Sequence, residues 1–168
     1  MPRKRQPSGS DPGGPQAALA AAAALLARRD YCSVELGAKL MQRGFEPEAI
    51  RAALASLIEQ RYLDDARYAE RFVTLRSQRG QGPLRIRRDL ADLGLPSSLV
   101  DSQLQAQGQW PQLARQVLSR RFGSGPPDGW RDKARRARFL QYRGFGGDDI
   151  RFALGIDVDM ELESDADQ

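Results

Sequence analysis

Apolar residues along this chain recur at an interval of fifty positions. Leu36, Leu40, Gly44, Phe45, Ile50 and Leu54 are echoed by Ile86, Leu90, Gly94, Leu95, Val100 and Leu104, and then by Arg136, Leu140, Gly144, Phe145, Ile150 and Leu154. Only Arg136 breaks the apolar pattern. An interval of this length marks tandem supersecondary units stacked on one another, because so small a unit buries its apolar face only against a neighbour. Within each copy the spacing predicts a helix, a glycine stop and a second helix. Gly44, Gly94 and Gly144 stand at the C′ position, where a left-handed residue is wanted and glycine supplies it without a Cβ clash. That register pairs Leu40 with Phe45, Leu90 with Leu95 and Leu140 with Phe145, the apolar contacts of a Schellman stop. Phe45, Leu95 and Phe145 also lie five residues before Ile50, Val100 and Ile150, the spacing of a hydrophobic staple. Pro47 suits the first position of its helix, and Glu48, Asp148 and Asp149 suit the first-turn dipole.

A third helix precedes each pair. Residues 16–29, 65–79 and 111–122 carry apolar stripes at Leu19, Leu25 and Leu26, at Tyr68, Phe72 and Val73, and at Leu113, Val117 and Leu118. Asp64 and Asp65 open the middle one as Ncap and N1, with Leu63 and Tyr68 as its staple. No stretch alternates β-branched and polar residues as a strand would. The pattern therefore predicts an all-α chain of three tandem three-helix repeats, residues 16–60, 61–107 and 108–156, stacked as an elongated, curved helical solenoid. Residues 1–15 and the acidic tail 157–168 are expected to be disordered flanks.

Composition narrows the chemistry. The chain has no histidine, which removes the commonest general base and metal ligand and every nucleophile pair built on imidazole. Cys32 is the single cysteine, so no internal disulfide or cysteine zinc cluster forms; it reads as a small buried apolar residue in a reducing cytoplasm. The alanine-rich run 17–27 is too short to span a bilayer and reads as a soluble helix. Charge is uneven. Residues 61–107 hold eight basic and six acidic groups and residues 108–156 hold ten against four, whereas the last twelve residues hold six carboxylates and no base. Such a body favours a polyanion or an acidic protein surface.

Candidate sites follow from that balance. Asp64 and Asp65 are the one distinctive carboxylate pair, but neighbours on a helix point about 100° apart and no third ligand lies near in sequence, so they read as structural caps and no metal or cofactor is expected. Arg79-Gly80-Gln81-Gly82-Pro83 lacks the Gly-Lys-Ser/Thr ending of a phosphate loop and reads as an interhelical linker. Arg131, Arg135 and Arg138 share one side of a helix on which Arg136 occupies the apolar position, and Arg85 and Arg88 form an i,i+3 pair beside Arg87. With 23 arginines to three lysines, these groups read as a partner-binding set making forked contacts to carboxylate or phosphate. Trp110 and Trp130, flanking the first helix of the third repeat, read as core staples.

Several motifs occur together in a fixed order. Tyr31-Cys32-Ser33-Val34-Glu35-Leu36 continues to Lys39-Leu40 and Arg43-Gly44-Phe45, then Tyr62-Leu63-Asp64-Asp65 with Tyr68-Ala69. Gly80-Gln81-Gly82-Pro83 with Ile86 and Leu90 follows, then Tyr142-Arg143-Gly144-Phe145 with Ile150. Each alone is a generic helical hairpin; in this order, over about residues 25–155, they resemble the RecX family of regulators of the RecA recombinase. The resemblance implies a three-repeat helical protein that binds RecA, chiefly as a filament on DNA, and inhibits its ATP hydrolysis, strand exchange and co-protease activity. With no histidine the chain is expected not to be an enzyme, and it is expected to be a monomer. Two positions depart from the family pattern: Arg61 stands where glycine is common before Tyr-Leu-Asp-Asp, and Gly146 where a capping serine is common. The alternative is a helix-turn-helix protein that contacts DNA directly through the basic second and third repeats.

Overall fold

The computed structural model describes residues 13–156. All of the acidic tail and most of the N-terminal flank lie outside the described residues. Among these residues there are nine helices and no strand: α1 Pro15–Leu26, α2 Ser33–Gln42, α3 Pro47–Glu59, α4 Asp65–Gln78, α5 Pro83–Asp92, α6 Ser97–Gln107, α7 Trp110–Phe122, α8 Gly129–Arg143 and α9 Gly147–Leu154. None is long and apolar enough to cross a membrane. The chain divides into two compact units, one reaching Tyr68 and including Leu93–Leu95, the other formed by Ala69–Asp92 and the chain from Pro96 onward.

In the first unit α1 lies along α3, with α2 packed against both. Ala18 and Ala22 of α1 are fully buried, and Ala18 meets Ala49 and Ala53 of α3. These small residues explain why an alanine run is used here: helices joined by methyl groups approach closely. Leu25, Leu36, Leu40, Ile50, Leu57 and Leu63 complete the core, each side chain contributing about 1.5–3 kcal/mol by burial. Gly44 stops α2 with φ 86°, its N–H donating to the Met41 carbonyl and the Phe45 N–H to Leu40. The end of α3 has the same two-bond geometry, Arg61 N–H to Ile58 and Tyr62 N–H to Leu57, but with Arg61 in the left-handed region at φ 58°. An arginine there carries the Cβ clash that glycine escapes. The Arg67 guanidinium braces it, donating to the carbonyls of Arg61 and Tyr62.

Asp64 caps α4 as its position predicts, accepting the Arg67 N–H at 3.0 Å. Asp65 does something its position does not predict. Its carboxylate accepts the backbone N–H of Ser33 at 2.7 Å and the Ser33 hydroxyl as well, so it caps the start of α2. Cys32, the N-cap residue of that helix, offers no side-chain cap, and a carboxylate supplied from elsewhere takes over an orphan donor at the positive end of the helix. Cys32 is fully buried, its Sγ 3.8 Å from the Leu93 carbonyl, and burial pushes its thiol pKa up. Beside it Val34 packs over the Gly94 stop, where φ is 82°.

In the second unit α5 packs on α6, and α7 and α8 pack on α9. Leu118, Leu140, Phe145 and Ile150 lead the core. Gly144, at φ 89°, ends α8 with the same pair of bonds, Gly144 N–H to Gln141 and Phe145 N–H to Leu140. This turn is seated on the start of α5. The Gly82 N–H donates to the Arg143 carbonyl at 2.8 Å and the Leu84 N–H to the Gly144 carbonyl at 3.0 Å. The last carbonyls of one helix thereby serve the unpaired first donors of another. The fit is backbone to backbone: a Cβ on Gly82 would collide with the Gly144 carbonyl, and one on Gly144 would stand 2.7 Å from the Arg85 nitrogen.

The turns differ in what surrounds them, and their tolerance of substitution should differ accordingly. A Cβ on Gly44 meets nothing, so Gly44→Ala should cost only the left-handed strain of about 1–2 kcal/mol. Gly144→Ala should cost roughly 1–3 kcal/mol more, through overpacking against α5, and urea denaturation giving equal losses would contradict the backbone seat. Arg61→Gly should raise stability by up to about 1 kcal/mol, read as a higher denaturation midpoint at unchanged slope.

Candidate functional site

The arginines of α5 and α8 were singled out by sequence as a partner-binding set, and their surroundings divide them into three groups. Arg88, Arg131 and Arg138 are exposed and make no ion pair among the described residues. Arg88 and Arg138 occupy equivalent positions, fifty apart. Arg87 and Arg135 are exposed but paired, Arg87 with Asp101 at 2.8 Å and Arg135 with Asp132 at 2.6 Å. The Arg87–Asp101 pair is exposed on both sides and is worth about 0–1 kcal/mol, whereas Asp132 is largely buried beneath Arg135. Arg85 is half-buried: its Cβ lies under the Gly144 turn and its Nε is buried without an acceptor.

Arg136 does not belong in the partner-binding set. It is buried, and its guanidinium is turned into the fold, Nε to Asp132 at 2.8 Å, Nη1 to the Gly125 carbonyl at 2.8 Å and Nη2 to the Pro126 carbonyl at 3.4 Å. The loop between α7 and α8 carries backbone acceptors that an apolar residue would leave unanswered. Arginine at this otherwise apolar repeat position answers them, with its alkyl stem in the core.

Asp132 holds this corner together. Burial alone would raise its carboxyl pKa, but hydrogen bonds from Arg135 and the Asp128 N–H and the charges of Arg136 and Arg135 outweigh it and hold the group below the usual carboxylate range. Asp149 goes the other way. Burial, with the Asp148 charge, raises its pKa although it accepts the Gly146 N–H at 3.1 Å, which is how α9 is capped where no serine stands.

The tryptophans separate. Trp110 is half-buried against the third-repeat core and donates Nε1–H to the Leu104 carbonyl at 3.0 Å. Trp130 is not a core staple: it is 78% exposed on the first turn of α8, because the loop before it is fastened by Arg136 rather than by an aromatic side chain. Tyr62 and Tyr142 are also exposed. Among the described residues no group of three or more acidic or cysteine side chains could hold a metal ion. Sequence reasoning read Arg79 as part of a linker and gave no binding role to Arg120, Arg121 or Arg143, yet three separate segments bring all four to one cleft. No spacing in the chain announces them.

Family models for the first, second and third three-helix domains of RecX match residues 18–57, 64–104 and 109–154. A protein named Regulatory protein RecX from Halorhodospira halophila is 44% identical over 134 residues, covering 79% of this chain and 83% of that protein. Its namesake from Stenotrophomonas maltophilia is 39% identical over 158 residues, 94% of this chain and 93% of the relative. Among solved structures, RecX from Lactobacillus salivarius superposes with a TM-score of 0.74 at 20% identity, over 84% of this chain and 94% of that one. That last likeness concerns the fold alone.

The Asp132 cluster has a pH signature. A carboxyl held low in the folded chain stabilises it above the unfolded value of about 3.9, and that stabilisation is lost as pH falls through the lower folded value. Asp132→Asn should therefore lower the melting temperature at neutral pH and flatten its decline between about pH 5 and pH 2. Parallel acid limbs for the two proteins would show that Asp132 is not a linked group.

Proposed function

Because the chain belongs to the RecX family, we infer that it is a regulator of the RecA recombinase, binding RecA as a filament on DNA and restraining its ATP hydrolysis, strand exchange and co-protease activity. The observation that carries this reading is the ordered match of all three RecX three-helix domains across the body of the chain. The surface chemistry supports it. Arg88 and Arg138 recur on two repeats, Arg87 sits beside them in a weak exposed pair, and Arg135 presents an exposed guanidinium above Asp132. Repeated, individually modest contacts accumulate affinity on a partner that is itself repetitive, and inhibition then needs only occupancy and a restraint on filament motion. No catalytic role is assigned to any residue, and the protein acts in the cytoplasm as a monomer. The second reading, direct DNA binding, draws on the basic surplus of residues 108–156 and would show itself as affinity without RecA that falls steeply with salt.

The deciding experiment is RecA-dependent ATP hydrolysis on single-stranded DNA, titrated with this protein. Wild type should inhibit. Arg88→Glu with Arg138→Glu should weaken inhibition at unchanged helical content and melting temperature, because reversal adds repulsion where a single neutralisation removes only about 0–1 kcal/mol. Full potency in the double reversal would place the grip elsewhere, and no inhibition by wild type would overturn the reading.

A further inference from the structure

In the second unit the C-terminal ends of α7 and α8 and the segment following α4 meet around an open cleft of about 270 Å³. Arg79, Arg120, Arg121 and Arg143 line it, over a floor of Gly80, Val117 and Phe139. No carboxylate lines it. None of the four arginines makes an ion pair among the described residues, in a chain that holds 22 acidic groups. The basic corner at the start of α8 has acids beside it: Arg131 and Arg135 share a cleft with Asp128 and Asp132, and Arg136 directs its donors to Asp132 and loop carbonyls. Here the positive charge is left over.

Helix C-termini favour cations, which is the plain structural reason to find arginines here. Each terminus supplies only about half a negative charge, so three of them leave more than two positive charges uncompensated. The cleft is also partly rigid. Arg143 Nη1 donates to the Arg79 carbonyl at 3.1 Å while its guanidinium lies 5.2 Å from the Phe139 ring centroid. Gly80, at φ 73°, passes so close beneath that a Cβ would press on Val117. Arg79, Arg120 and Arg121 are exposed, their forks available.

We propose that Arg79, Arg120, Arg121 and Arg143 form a phosphate-binding cleft, independent of the grip on RecA. Guanidinium forks match phosphate oxygens in pairs. The volume falls below the roughly 300 Å³ at which pockets begin to enclose a whole small-molecule ligand, so the cleft takes phosphate groups while the rest of the ligand stays outside. Those groups come from a nucleic-acid strand crossing the cleft or from a free polyphosphate.

The test uses the full chain and two probes without RecA: sodium tripolyphosphate by calorimetry, and a fluorescent oligothymidylate by anisotropy at two salt concentrations. Arg120→Gln with Arg121→Gln is compared with Arg28→Gln and Arg43→Gln, which remove the same charge from exposed positions in the first unit. The cleft variant should lose about tenfold or more in affinity, with a salt slope shallower by about 1.4 for the single-stranded oligonucleotide, while the control loses less than about twofold. A loss for the oligonucleotide alone identifies a strand as the source, and a loss for tripolyphosphate alone identifies a free polyphosphate. Equal losses in the two variants would overturn the cleft. So would tighter, cleft-dependent binding of a peptide carrying the sequence of residues 157–168, which would make it a carboxylate site. Should the double variant unfold, phenylglyoxal modification of wild type decides: either probe should protect Arg120 and Arg121 but not Arg28 or Arg43, and no difference in protection would overturn the proposal. Because RecA is absent throughout, failure here leaves the regulator reading untouched.

Discussion

The second unit depends on one backbone contact, the seating of the Gly144 turn on the first residues of α5. Pro83 has no N–H, and the donors around it, from Gly82 and Leu84, find their acceptors in the carbonyls of Arg143 and Gly144. Two glycines make this possible, and both matter for space: Gly82 and Gly144 each stand where a Cβ would strike the other segment. In the first unit the equivalent place is filled differently, Val34 packing over Gly94 and Cys32 facing the Leu93 carbonyl. The same turn is therefore accommodated once through backbone hydrogen bonds and once through a buried thiol and a valine.

That economy of contact shapes the polar residues. Each helix start must satisfy donors that the helix itself cannot, and at four of them the chain finds four different answers. Asp64 works locally, Asp65 reaches across to Ser33, Asp149 turns back to Gly146, and α5 borrows the end of α8. Carboxylates that a search for catalysis would examine first are thus committed to capping. The arginines divide as well: Arg136 and Arg67 turn their guanidinium groups to backbone carbonyls, whereas Arg88, Arg131 and Arg138 are exposed and make no ion pair among the described residues.

Availability is the property that the proposed grip on a partner needs. A surface of unpaired or weakly paired guanidinium groups binds without a deep pocket and releases without a large barrier, since no single contact carries much of the energy. Trp130, Tyr62 and Tyr142 are exposed as well, and aromatic and arginine side chains are the types that anchor protein interfaces.

Local chemistry along the chain determined the helices, their stops and the threefold repeat, because these rest on spacing alone. A glycine followed by an apolar residue, five before the next apolar one, specifies stop and restart wherever it occurs. The cap at Asp64 was legible for the same reason, whereas the packing of α1 through Ala18 and Ala22 was not. Tertiary structure alone decided which charges are free. Arg136 and Arg138 are two residues apart and chemically identical, yet one is buried because Gly125, Pro126 and Asp132 surround it and the other faces solvent. Asp65 caps a helix that begins 32 residues earlier, and four arginines between positions 79 and 143 share a cleft. The fate of a charged group is set by the partners within a few ångströms of it, and where the chain folds back those partners come from distant positions that no local spacing encodes.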